Sequence, residues 1–423
     1  MNRKIAGLMA GCAVLAVLAS GQALAKPAAK PQPDKKVWAA AEAARADQLK
    51  LLEAVVNVDS GTGDAEGGQK VEAILIPRLK ALGASIQSVP AEAPGLPDNL
   101  VATFTGKGKA KILLIGHIDT VFGPGTVAKR PFRIDGDKAR GPGVSDEKGG
   151  VVEGVMAMSL LQQLKFDNYA KVVFLIETSE ERGSPGTRKL IDSLLGDADV
   201  EFNLEPGDPP DALTVWRKGS ATWHVEVEGR AAHAGVAPQD GRNAIVELMH
   251  QLQTEDAMPH SGAGRTVNVT TIQGGTRANI IPDHAEAQVN VRVRENGDFD
   301  KVDEALQAAA RTTVVPDTKV KVWREPAFPP LPNNPSTDDL AARAQAVYAG
   351  LGRELGTSGN GGASESALAH AHGVPALDGL GPVGGGFHSD EEYLDLTSLT
   401  PRLYLLTKLI MDVSAKPAKP VAK

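Results

Sequence analysis

At 423 residues, with 45 glycines and a formal net charge of −7, the chain is long enough to bury a sizeable core in two domains. No basic cluster is interleaved with aromatics, which removes the usual argument for a nucleic-acid partner. The single cysteine, Cys12, excludes a disulfide framework and thiolate metal ligands from a mature chain that lacks it.

The first residues read as a targeting segment. Arg3 and Lys4 precede an apolar run from Ile5 to Leu18, and Ala23-Leu24-Ala25 gives a small-x-small cleavage pattern. The run is too short for a membrane span. The expectation is a signal peptide over residues 1–25, cleaved after Ala25, and a periplasmic or secreted protein with no membrane attachment afterwards. Cys12 after Ala10-Gly11 admits a lipoprotein reading, but the apolar run continues past it. Residues 26–35 and 415–423 are rich in Pro, Ala and Lys and read as a disordered linker and tail.

Helical spacing predicts a first helix over Lys36–Val56 and a second over Val71–Leu82, with Pro77 as a kink or break. Leu100–Phe104 and Lys111–Ile115 read as strands, Val151–Leu164 as a buried helix, and Val172–Ile176 and Phe202–Leu204 as further strands. This alternation predicts an α/β sheet. Near Arg217 the pattern changes to half-solvated strands at Ser220–Glu228, Thr266–Ile272, Glu286–Arg294 and Lys319–Trp323, with helices at Asn243–Gln253 and Asp300–Ala310. That order is β-α-β-β-α-β, the ferredoxin-like arrangement. From Asp338 the α/β pattern resumes. The expectation is one discontinuous domain over residues 36–216 and 327–414, interrupted by an insert over 217–326. One face of the insert sheet carries the helices and the other is free, so the insert could pair with a second copy.

Candidate ligands cluster where buried strands end. Ligands in open α/β sheets bind there. His117-Ile-Asp119 follows the apolar run Ile112–Ile115. In extended backbone, residues two apart point the same way, so Asp119 can orient the His117 imidazole while the other ring nitrogen meets a metal. Alone, the pair describes a structural histidine and a capping aspartate, and only what recurs downstream gives it force. Asp146 lies in the glycine-rich turn Gly141-Pro-Gly-Val-Ser-Asp146-Glu-Lys-Gly-Gly150, where it could also be a helix cap. Glu180 and Glu181 follow the strand ending at Ile176, Glu205 follows Phe202-Asn-Leu, and His388 sits in the loop Gly384-Gly-Gly-Phe-His388-Ser-Asp390. Their recurrence at strand ends and glycine loops gives each of them weight.

Taken together, His117-x-Asp119-Thr120-Val121, Gly141-x-Gly-x-x-Asp146-x-Lys-Gly-Gly, Glu180-Glu181-x-Gly-Ser, Glu205-Pro and the late His388-Ser-Asp resemble the M20 metallopeptidases. The pattern is most like the glutamate carboxypeptidase (carboxypeptidase G2-like) branch and covers nearly the whole mature chain. Pro401–Asp412 is similar to that branch's C-terminal helix. The resemblance implies a zinc-peptidase catalytic domain with an inserted dimerisation, or lid, domain, and two zinc ions per subunit. Asp146 would bridge the ions, with His117 and Glu205 on one and Glu181 and His388 on the other. Glu180 would be the general base and Asp119 would orient His117. In the insert, His233 would act across a homodimer interface on the oxyanion, and Asn279 and Arg292 would bind the substrate carboxylate. His224, His250, His260, His284, His370 and His372 match no functional motif. One stretch departs from the pattern. Where the branch has Gly-Gly-Thr-Asp shaping the substrate pocket, this chain reads Gly361-Gly-Ala-Ser-Glu365-Ser.

The implied activity is cleavage of an amide next to a free carboxylate, releasing C-terminal glutamate-type residues from peptides, N-acyl amino acids or folate-like compounds. An aminoacylase or dipeptidase of the same family is the alternative. A non-catalytic periplasmic metal- or ligand-binding protein is a distant one, because the ligand positions and the base are all present.

Overall fold

The computed structural model describes residues 32–421. The expected signal segment 1–25 and most of the expected 26–35 linker lie outside them. Among the described residues no helix is long and apolar enough to cross a membrane.

Helix α1 (Lys35–Val56) starts at Asp34, whose carboxylate accepts from the Lys36 and Val37 N–H groups. It buries Val37, Ala41, Leu51, Leu52, Val55 and Val56. Helix α2 (Ala65–Ala81) begins six residues before the expected start at Val71 and runs through Pro77. Gly67 and Gly68 have poor helix propensity, but the Asp64 carboxylate accepts the Gly67 N–H at 2.9 Å and caps the first turn. A Cβ on Gly67 would lie 2.1 Å from the Asp59 carbonyl oxygen, so glycine there permits close packing.

The central sheet uses strands β1 (Ser85–Val89), β2 (Asn99–Thr105), β3 (Lys111–His117), β4 (Lys171–Glu177) and β5 (Val200–Asn203), plus Ala376–Leu377, in the order β1-β2-β4-β3-β5-(Ala376–Leu377). The last four are parallel. The apolar runs in β3 and β4 are buried on both faces, as parallel strands require. Their carboxyl ends therefore lie side by side, and His117 pairs in register with Glu177.

Helix α3 (Lys148–Gln163) crosses this sheet. It buries Glu153 completely, with neither carboxylate oxygen hydrogen-bonded. Burial drives the Glu153 pKa well above its usual value, only partly opposed by Arg402. The folded chain therefore keeps a proton that the unfolded chain releases near pH 4 to 5, so this group's contribution is full below that range and is lost as pH rises from there toward the raised folded pKa. Glu153→Gln is expected to raise the thermal midpoint at pH 7–8 by on the order of 2–4 °C and to flatten its decline with pH. Calorimetry across pH 5–8 checks this, and a lowered midpoint at pH 8 refutes it.

The insert contains β6 (Gly219–Glu228), α4 (Ala244–Gln251), β7 (Thr266–Gly274), β8 (His284–Val293), α5 (Gly297–Ala309) and β9 (Lys319–Arg324). The antiparallel order β7-β8-β6-β9 is ferredoxin-like. Ala221, Trp223, Val225 and Val227 pack with Val289, Val291, Leu248, Phe299 and Leu306 on the helix-covered face. The opposite face is not simply free: Ser220, Thr222, Asn290 and Arg292 roof a cleft over the main domain. Exposed apolar side chains lie instead along edge strand β7 and helix α4, at Val269, Ile272, Val246 and Met249. Two isolated bridges, Arg217 to Leu331 and Ser220 to Phe328, mark where the chain enters and leaves the insert.

After the insert come α6 (Pro335–Gly350), α7 (Glu365–Ala371) and α8 (Leu399–Ala415). Ala376–Leu377 joins the sheet beside β5, so the two separated stretches build one domain. The tail is pinned where it begins, because Arg343 donates to the carbonyls of Lys416 and Pro417 at 2.8 and 2.9 Å.

Candidate metal centre

Four turns converge at the carboxyl ends of β3, β4 and β5. His117 is the last residue of β3. Glu180 and Glu181 form a short 3-10 turn after β4, and Glu205 follows β5. Asp146 immediately precedes Glu147 and the start of α3. The glycines after it press that helix end onto β5: a Cβ on Gly150 would lie 1.9 Å from the Leu204 carbonyl oxygen. His388 enters from a loop near the C-terminus in left-handed backbone, with φ 60°.

His117 is buried. Its Nδ1 lies 3.0 Å from the Asp119 carbonyl oxygen and 3.4 Å from the Asp119 carboxylate. A proton on Nδ1 leaves the Nε2 lone pair facing Asp146 at 3.3 Å, Glu147 at 3.7 Å, Glu180 at 3.8 Å and Glu205 at 3.9 Å. That Nε2 has no hydrogen-bond partner. His388 Nε2 lies 3.3 Å from the second Asp146 oxygen and 3.1 Å from Glu181. Two donor triads result, His117-Glu147-Glu205 and Asp146-Glu181-His388.

Charge is concentrated here. Burial, then the nearby Glu365 carboxylate, holds the Glu180 pKa well above the usual range. Burial pushes Glu205 up to about 8 against the pull of Arg217. Asp146 and Glu181 push His388 up to about 10. Burial alone would lower the His117 pKa, but Asp119 and Asp146 raise it well above its ordinary value. Carboxylates crowded around an unpartnered imidazole nitrogen suit a divalent cation, and His nitrogen with carboxylate oxygen is a donor set zinc accepts.

Asp119 does more than face His117. Its oxygens accept the Glu180 N–H at 3.1 Å, the Glu181 N–H at 3.3 Å and the Thr62 hydroxyl at 2.6 Å. One residue thus fixes the imidazole, chiefly through its backbone carbonyl, and the backbone of the acidic pair through its carboxylate.

Other contributors were not singled out from sequence. Glu147 accepts the His117 N–H at 3.1 Å and belongs to the first triad; its place beside Asp146 was the available signal. Buried Glu392 accepts from the N–H groups of Gly143, Ser145 and Asp146 at 2.9, 3.0 and 3.1 Å. It thereby ties the Asp146 turn to the His388 loop, a contact no local pattern reveals. Arg217 grips Asp378 with two bonds of 2.7 and 2.8 Å and reaches Glu205 at 3.4 Å.

A cavity of about 560 Å³ lies between this cluster and the insert, lined by Asp146, Glu180, Glu205, Arg292, Phe328 and His388 among others. Arg292 is held by Asn290 at 3.1 Å within it. His233 and Asn279 are not among its lining residues. They lie together on the insert, where the Ala234 N–H donates to the Asn279 carbonyl and His233 pairs with Ile280. His233 is exposed, and its Nδ1 accepts the Gly235 and Val236 N–H groups at 3.1 Å each, so the ring proton belongs on Nε2. The unassigned histidines make ordinary contacts where contacts are defined: His224 stacks on Trp323 and meets Glu325, and His284 meets Glu226.

Comparison with known proteins agrees with this architecture. Residues 215–318 match the family described as the peptidase dimerisation domain of the M20 type. Carboxypeptidase G2 of Pseudomonas sp. (strain RS-16) is 35% identical over 410 residues, covering 95% of this chain and 98% of its own. The dipeptidase Dug1p of Saccharomyces cerevisiae has a TM-score of 0.73 at 15% identity, covering 90% of this chain and 99% of its own. A dinuclear metal binding peptidase of the M20 family from Bacillus subtilis gives 0.61 at 18%, covering 89% and 99%. A 35% identity extending through both the discontinuous domain and its insert carries one conclusion: the chain belongs to the M20 metallopeptidase family.

Proposed function

We propose that this chain is an exported di-zinc carboxypeptidase, working as a homodimer, that cleaves an amide next to a free carboxylate. Its substrates are peptides, N-acyl amino acids or folate-like compounds ending in a glutamate-type residue. One observation carries the reading: the two oxygens of Asp146 face two different histidines, His117 and His388, at 3.3 Å each. That is how a carboxylate shared by two cations is placed, with His117 and Glu205 on one side and Glu181 and His388 on the other. The name of the carboxypeptidase relative supports the substrate class.

Zinc bound by these donors supplies Lewis acidity and makes a bound water acidic near neutral pH. Glu180 accepts the proton of the attacking water and returns it to the leaving nitrogen. Asp119 holds Glu180, Glu181 and His117 in place during that exchange. Arg292, on the roof of the cleft, forks onto the substrate carboxylate. His233 donates from Nε2 to the developing oxyanion in the partner's cleft, and Asn279 beside it helps hold the substrate carboxylate there. The exposed edge β7 and the apolar side chains of α4 supply the pairing surface.

Two divalent ions per chain are expected on elemental analysis of protein purified without chelator, with turnover lost on chelation and restored by zinc. A stoichiometry near zero after zinc reconstitution refutes the metal reading. A panel of N-acyl glutamates, other N-acyl amino acids and dipeptides tests the substrate. Turnover confined to dipeptides with a free amino group would move the assignment to a dipeptidase, a reading the Dug1p-like fold keeps open. Turnover of N-acyl amino acids without acidic preference would move it to an aminoacylase.

A further inference from the structure

The stretch that departs from the family pattern, Gly361-Gly-Ala-Ser-Glu365-Ser, divides into two parts. Gly362 and Ala363 line the cleft, but Glu365 turns away from it and is buried, 1% exposed. It opens α7, and three consecutive side chains there reach three different elements behind the metal centre. Ser364 Oγ donates to Asp378, Glu365 accepts from Ser184 Oγ at 3.1 Å and from Asn203 Nδ2 at 3.0 Å, and Ser366 Oγ donates to Glu201 at 2.9 Å.

Three of these four contacts lead on to the centre. The Ser184 N–H donates to the Ser179 carbonyl at 3.0 Å, closing the turn that displays Glu180 and Glu181. The Asn203 side-chain oxygen accepts the Glu205 N–H at 3.0 Å. Asp378 grips Arg217, which reaches Glu205. We infer that Glu365 is a positioning residue: its two oxygens tie the Glu180–Glu181 turn to the Glu205 turn and so set the spacing between the base and the metal ligands. The inference rests on the roles given to those three residues above. Glu365 never touches substrate. The reach matters, because one carboxylate must accept simultaneously from Ser184 on one turn and Asn203 on another. Aspartate is one methylene shorter and cannot span both without moving a turn.

The test uses full-length mature protein loaded with cobalt(II), whose visible absorption reports ligand geometry, alongside kcat and KM for the amide the panel identifies. Glu365→Gln removes the charge and leaves one polar atom an NH₂, which either meets the Asn203 NH₂ or turns Ser184 Oγ, also 3.1 Å from Glu177, from donor to acceptor. It is expected to lower kcat about 10–100-fold, the usual effect of removing a support behind metal ligands. KM should stay within about twofold, and the cobalt spectrum should shift. Glu365→Asp should show the same changes in smaller degree. Ser184→Ala should lower kcat chiefly, and Asn203→Ala should weaken cobalt affinity chiefly; these two keep the proposal testable if Glu365→Gln does not fold. Ser184→Ala in the Glu365→Gln background should add little, because both remove one contact. Wild-type spectrum and kcat in folded Glu365→Gln overturn the proposal, as do losses that multiply in the double variant or an Asp variant identical to wild type. Cobalt binding by wild type without amide turnover defeats the substrate assignment alone, since the spectra still decide the role of Glu365. No cobalt binding by wild type defeats both.

Discussion

Glu180→Gln is expected to retain two metal ions per chain and to lose turnover by roughly 10²–10⁴-fold, the range for removing a general base. Glutamine keeps the shape and the N–H bond to Asp119 but has no oxygen able to take up a proton. Glu181→Gln should give the opposite phenotype, because the Glu181 carboxylate lies 3.1 Å from His388 and completes the second donor triad. Its variant should lose metal on dialysis and recover part of its activity in excess zinc. Elemental analysis and single-turnover kinetics on both proteins separate the roles. Exchanged phenotypes would show that the neighbours have been assigned the wrong way round.

His233→Ala should be nearly inactive alone, yet should regain partial activity when its subunits are exchanged with those of Glu180→Ala. One active site of such a hybrid receives its own Glu180 and the partner subunit's His233. The expectation follows from placement: His233 is exposed, does not line the cleft and presents Nε2 outward from a turn fixed by its own Nδ1. Exchange confirmed by native mass spectrometry with no return of activity would show that His233 does not act across an interface. A monomer at all working concentrations would remove the dimer as well.

The sequence displays the centre well because each donor stands at the end of a short apolar run or inside a glycine turn. His117 after Ile112–Ile115 and Glu180 after Val172–Ile176 are examples, and the parallel pairing of β3 and β4 then brings them together. The ferredoxin-like insert was equally legible, since alternation at Ala221, Trp223, Val225 and Val227 marks its packed face. What was hidden depends on distant pairing. Glu392 meets Asp146 across 246 residues, and Glu365 meets Ser184 across 181. Nothing local distinguishes such buried carboxylates from solvated ones. The early start of α2 was hidden for a different reason, because Gly67 and Gly68 have poor intrinsic helix propensity that capping and packing override. In the sequence Glu365 belongs to the stretch expected to shape the substrate pocket, and only the direction of its side chain reassigns it.

The bond between Glu392 and the Asp146 turn sets an order of events in synthesis. Ribosomes release the chain from its N-terminus, so Asp146 is made long before the carboxylate that holds its turn. His388 arrives equally late, and the insert must pass first. A nascent chain, or one cleaved between the insert and residue 388, carries His117, Asp146, Glu180, Glu181 and Glu205 but cannot close the centre around them. With the proposed ligand roles, hydrolytic capacity is thus deferred until nearly the whole polypeptide is complete.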